Sequence, residues 1–175
     1  MSELHFQTKL YEINSWRILR FPEQVSKELP SRGMVMVNGS MNGIYLEVPL
    51  EPDGVGSHWF RVSDALSLQT KAGPGDTVSL LVEPMKLWPE PEVPMDIIEA
   101  ITETDLIKQW NSITTKARWE WIRWIRFTNN LATRQKRIAV ACSMLESGKR
   151  RPCCFDQSRC TEPYVSKNGI LQILQ

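Results

Sequence analysis

The chain has 175 residues and a formal net charge of +1, with 42% hydrophobic and 23% charged side chains. That is ordinary globular composition, long enough for one domain or two small ones, and it excludes an intrinsically disordered chain. No apolar run approaches the roughly 18 residues of a spanning helix, and "MSELHFQTKLYE" lacks the pattern of a secretory signal. A cytoplasmic protein with no membrane insertion is therefore expected.

In chain order, "FQTKLYEI" alternates as a half-buried strand, and "WRILRF" follows after the turn pair Asn14-Ser15. "FPEQVSKEL" predicts a short helix with Pro22 in its first turn. "GMVMVNGSMNGIYLEVPL" holds two Asn-Gly pairs, Asn38-Gly39 and Asn42-Gly43, and both residue types tolerate the positive φ of a tight hairpin. "HWFRV" is a further strand, "SDALSLQTKAG" a helix from Ser63 to Gly73, and "GPGDTVSLLVEP" a turn feeding a last strand. Short strands between Gly and Asn turns predict a small barrel over residues 1–83.

Residues 84–95, "PMKLWPEPEVPM", carry four prolines and predict a linker without regular structure, with no strand expected beyond residue 100. The period then becomes helical over residues 96–150. One helix opens at Pro94, a second covers "LIKQWNSI", a third runs from Thr114 to about Thr128, and Asn130 caps a fourth that ends at Gly148. Residues 151–175 read as an irregular, basic, cysteine-containing tail. The fold class is α+β.

Charge is uneven. From Lys116 to Arg159 there are eleven lysines and arginines against three acids, a local balance of +8, while residues 1–115 carry −7. Such asymmetry marks either a nucleic-acid surface or two regions that pack on each other. Arg118 shares a helical face with Trp121, Ile122 and Ile125, and Arg134 shares one with Ile138, Ala141 and Leu145. A guanidinium in an apolar stripe needs an acid or an anionic ligand. Either carboxylates such as Asp96, Glu99 or Asp105 supply it, or Arg118, Arg134 and Arg137 form a candidate anion pocket. The partner would then be an anionic small molecule, with a protein as the other possibility. For Arg134, a carboxylate from residues 96–120 or from the barrel is expected.

Trp119 falls opposite the core face of its helix, to be exposed or packed against another segment. His5 and His58 have no second histidine spaced for a metal, so no metal and no cofactor is expected. A triad could be assembled only around His58 with Ser57 or Asp64, and a hydrogen-bonded strand histidine is the preferred reading. Cys153, Cys154 and Cys160 lack zinc-ligand spacing but lie among Lys149, Arg150, Arg151 and Arg159, cations that lower a thiol pKa. They are redox candidates, weighed against an irregular basic segment. Cys142 falls on the fourth helix.

"VNGSMNGIYLEVPL", "GVGSHWFRV" and "AGPGDTVSLLVE", in that order, resemble a bacterial domain of unknown function with an AbrB-like double-split β-barrel. "VPMDIIEAI", "ARWEWIRWI" and "ATRQKRI" resemble the helical region of the YdeI/OmpD-associated, bacteriocin-protection family. The resemblance rests on Gly39, Asn42-Gly43, Gly75-Asp76, Thr133-Arg134 and Arg137-Ile138, and carries no catalytic residues. It implies a non-enzymatic binding or stress-protection protein linked to antimicrobial-peptide resistance. A nucleic-acid-binding module is an alternative, since AbrB-like barrels include DNA binders, although the positive charge here lies in the helices. A thiol-dependent enzyme or redox sensor is another.

Overall fold

Strands β1 (Leu4–Ile13) and β2 (Trp16–Arg20) form the first hairpin, across a two-residue turn with Asn14 at φ 50° and Ser15 at φ 74°. β3 (Val35–Met41) and β4 (Ile44–Pro52) form the second, closed by Asn42 at φ 49° and Gly43 at φ 81°. With β5 (His58–Val62) and β6 (Thr77–Pro84) they make a closed antiparallel barrel in the order β1-β2-β5-β4-β3-β6, β6 pairing back onto β1. Alternate residues point inward, so Leu10, Leu19, Val37, Leu50, Phe60 and Leu80 fill the interior. Short helices α1 (Glu23–Ser26) and α2 (Asp64–Thr70) occupy two connections, and the Ser63 side chain caps α2 by accepting from the Leu66 amide.

Only one of the two expected Asn-Gly turns is a turn. Asn38-Gly39 lies inside β3, where a Cβ on Gly39 would stand 1.8 Å from the Leu81 carbonyl oxygen. Here glycine serves the close approach of β6 rather than a reversal. α2 also stops earlier than expected, at Lys71 in the left-handed region (φ 58°).

The computed structural model describes residues 3–152 and 161–174. They fall into two units, residues 3–86 with 161–174 and residues 87–152. The second unit holds α3 (Met95–Glu103), α4 (Ile107–Ser112), α5 (Thr115–Arg126) and α6 (Leu131–Glu146). Thr114 caps α5 through the Ala117 amide and Asn130 caps α6 through the Thr133 amide. Ile97, Ile101, Trp110, Trp121, Ile125 and Ile138 are among the residues of its core. None of the described helices is long and apolar enough to cross a membrane.

Residues 161–174 correct the reading of an irregular tail, and of no strand beyond residue 100. A turn of 3-10 helix (Pro163–Val165) leads into a two-stranded sheet of β7 (Ser166–Lys167) and β8 (Ile170–Leu171), reversed at Asn168 (φ 54°) and Gly169 (φ 77°). Val165 and Leu171 are fully buried against Ile13, Ile18 and Trp59. The cause is that Ile13, Ile18 and Trp59 point away from the barrel interior and need cover.

Candidate functional site

Each arginine singled out from the sequence is engaged by the protein. Arg118, on the first turn of α5, bonds Glu90 through Nε (3.0 Å) and Nη2 (2.5 Å). Its Nη1 also reaches the Trp110 and Ile113 carbonyls at the end of α4 (3.2 and 2.5 Å). The acid is therefore Glu90, in the proline-rich connection, and not Asp96, Glu99 or Asp105. That connection comes back against α5, and the Trp119 indole donates to the Pro89 carbonyl (2.7 Å). Arg137 donates to the Trp124 and Phe127 carbonyls at the end of α5 (3.0 and 2.8 Å) and lies over the Trp124 ring. No described contact joins these side chains in one anion pocket.

Arg134 meets the expectation of a carboxylate. Its Nε and Nη2 form a bidentate pair with Asp96 (2.7 and 2.9 Å), holding the first turns of α3 and α6 together. The Arg134 guanidinium holds the Asp96 carboxyl below the usual carboxylate range. Yet 45% of the Asp96 side chain is exposed, so water screens the pair. Arg134→Ala is expected to lower stability by only about 1–2 kcal/mol in urea melts, short of the cost of stranding a buried charge.

In the barrel, His58 is fully buried. Its Nδ1 lies 2.6 Å from Ser26 Oγ and its Nε2 lies 2.9 Å from the Gly33 carbonyl oxygen. A carbonyl can only accept, so Nε2 carries the proton and Nδ1 accepts from the serine hydroxyl. The triad considered from the sequence is not assembled. Ser57 bonds the Phe21 carbonyl, and Asp64 sits exposed beside Arg17. Burial pushes the imidazole down to about 4. The unfolded chain takes up a proton near pH 6.5 and the fold does not until about pH 4, so stability is full above pH 6.5 and falls below it. Linkage gives a loss of about 2 kcal/mol between pH 7 and 5. Urea melts across that range should show it, with the slope flattened in His58→Gln.

The helical unit carries an open cleft of about 370 Å³ along α3 and α6. Ala100, Leu106, Ile138 and Cys142 line its apolar part, and Glu103 and Glu146 stand at its edge. Asp96 and Arg134 join the two helices at their N-terminal ends. Toward their C-terminal ends the same cleft is lined by Ala100 and Glu103 of α3 and by Ile138, Cys142 and Glu146 of α6, so the helices run side by side in the same direction. Glu103 and Glu146 are their last residues. Two carboxylates thus sit where both helix dipoles are already negative, and the cleft mouth attracts cations.

Residues 90–148, which contain both helices and the cleft, match the family model described as bacteriocin-protection, YdeI or OmpD-associated. Residues 6–82, the barrel, match a domain of unknown function, DUF1905. The helical unit thus carries a YdeI/OmpD-associated region, and the barrel a DUF1905 domain. No curated protein matches it.

The sequence reading of this YdeI/OmpD-associated region missed the cleft. The available signal was a run of small residues, Ala139, Cys142 and Ser143, beside the Ile138-Ala141-Leu145 stripe and ending in Glu146. Among the other candidates, Cys153, Cys154 and Cys160 lie outside the described residues, and among the described residues no group of His, Cys, Asp and Glu could hold a metal.

Proposed function

We propose that the protein is a non-enzymatic binding protein, acting in protection against antimicrobial peptides, and that the α3–α6 cleft takes a cationic amphipathic peptide segment. The observation that carries this reading is the pair of glutamates at two parallel helix C-termini, over an apolar floor. An apolar side chain of the peptide enters between Leu106 and Ile138, and a neighbouring lysine or arginine meets Glu103 and Glu146. The family description, bacteriocin protection, supports the same class of ligand.

Titration of a cationic amphipathic antimicrobial peptide tests it. Exposed charge pairs contribute about 0.2–1 kcal/mol each. Glu103→Gln with Glu146→Gln should therefore weaken binding roughly tenfold, with affinity falling as salt rises. An affinity unchanged by the double substitution would remove the cleft from the reading. Cells expressing the chain and equally sensitive to the peptide would remove the protective role.

The nucleic-acid alternative has less support. Arg118, Arg134 and Arg137 are spent on protein partners, and the indoles of Trp119 and Trp121 donate to the Pro89 and Arg150 carbonyls. Binding through about five phosphates would lose orders of magnitude in affinity between low and moderate salt. Nanomolar binding at physiological salt, with that slope, would reverse the ranking.

A further inference from the structure

We infer that the outer face of β1, β2 and β5 is a docking groove for a hairpin segment, and that residues 161–174 occupy it as a detachable insert. The barrel is complete without them: β6 closes onto β1, and the interior core contains none of these residues. The segment forms its own two-stranded sheet and covers a separate apolar cluster of Ile13, Ile18 and Trp59.

The attachment has the anatomy of peptide recognition. Two side chains are fully buried anchors, Val165 and Leu171, six positions apart and on either side of the Asn168-Gly169 turn. Discrete polar contacts fix the register. The Trp59 indole donates to Thr161 Oγ1 (2.6 Å), the Asn14 amide to the Tyr164 carbonyl (2.8 Å), and the Leu171 amide to the Asp53 carbonyl (3.0 Å). The Tyr164 ring packs on Trp16 with centroids 4.8 Å apart. At Gly54 a Cβ would stand 2.1 Å from the Gly169 carbonyl oxygen, so the hairpin tip seats directly on backbone. The groove thus offers an indole donor, a carbonyl acceptor, an amide from Asn14 and two apolar sockets, which is what a short hairpin needs. Residues 161–174 lie outside both stretches matched by the family models. Segments held by a few side chains outside a closed core open at lower free energy than the core itself.

Hydrogen exchange on the intact chain gives the first test. Amides of residues 161–174 should exchange at least tenfold faster than those of β3 and β6, and exchange in step with the barrel would overturn the proposal. The second test uses Leu171→Asp in the full chain, which should free the segment while β3 and β6 keep their protection. A synthetic peptide of residues 161–174 should then protect residues 53–59 of that variant, binding it at least tenfold more tightly than the wild type, whose groove is filled. The same peptide carrying Val165→Asp should not. Loss of protection in β3 and β6, or no protection by the peptide, would show the segment to be an integral part of the barrel.

Discussion

Arg151→Ala is expected to destabilise the helical unit by roughly 3 kcal/mol in urea-induced unfolding, the low end of the cost of stranding a buried charge. The charge is Glu120 of α5, whose side chain is 1% exposed. Arg151 reaches it from beyond α6, Nε bonding Oε2 at 2.6 Å and Nη2 bonding Oε1. Hydrogen bonding to Glu120 raises the Arg151 pKa. The low end applies because 58% of the Arg151 side chain is exposed, so water can partly replace it. Removing both charges should behave differently: Glu120→Leu with Arg151→Met leaves nothing to strand and should melt near the wild type. A double variant as unstable as Arg151→Ala would mean that the loss comes from packing rather than from the orphaned carboxylate.

Arg151 also shows where the sequence stopped being legible. Read along the chain, it belongs to a basic run beside cysteines and invites a thiol argument. Its actual partner is thirty-one positions earlier, on a helix face that local periodicity marks only as a mixture of Trp and charge. Glu90 is a similar case. A proline-rich stretch advertises an extended connection, but nothing in it says that the connection returns to hold Arg118. What was legible was local. Asn14-Ser15 and Asn42-Gly43 satisfy the backbone demand of a two-residue turn, while Ser63, Thr114 and Asn130 cap the helices they precede. Asn38-Gly39 carries the same letters as a true turn, and only the approach of β6 separates the two cases. Asn168-Gly169 is a hairpin signal of the same kind, although the basic, cysteine-containing stretch before it reads as a tail. The cleft was hidden for another reason. Small residues beside an apolar stripe carry little hydrophobic signal, and the two glutamates come to line one cleft only once α3 and α6 lie parallel.

Asp53→Ala is expected to cost the barrel unit roughly 3–5 kcal/mol, since it removes one partner of a buried pair and leaves backbone donors unsatisfied. Asp53 is fully buried at the end of the chain from β4, just before β5. Oδ2 accepts from Arg20 Nε at 2.7 Å, tying this corner to β2. Oδ1 accepts from the Val55 and Ser57 amides at 2.9 and 3.0 Å, and the Asp53 amide donates to the Ser57 carbonyl at 2.9 Å. One carboxylate therefore shapes the whole loop. Alanine leaves the Arg20 guanidinium without that acceptor, but 25% of the Arg20 side chain is exposed and water can share the burden. The Ser57 amide has no such recourse, because Ser57 is 1% exposed. Asp53→Asn keeps an acceptor oxygen for the loop amides but turns its NH2, a donor, toward the Arg20 Nε–H. That bond is lost, and the variant should lose about 2–3 kcal/mol, less than alanine. The same loop carries Gly54, against which Gly169 rests, so Asp53→Ala should also raise hydrogen exchange at residues 161–174 more than at β3. Urea melts of the two variants, read beside exchange at residues 55 and 57, decide the matter. An alanine variant within 1 kcal/mol of the wild type would mean that the loop holds its shape without the carboxylate.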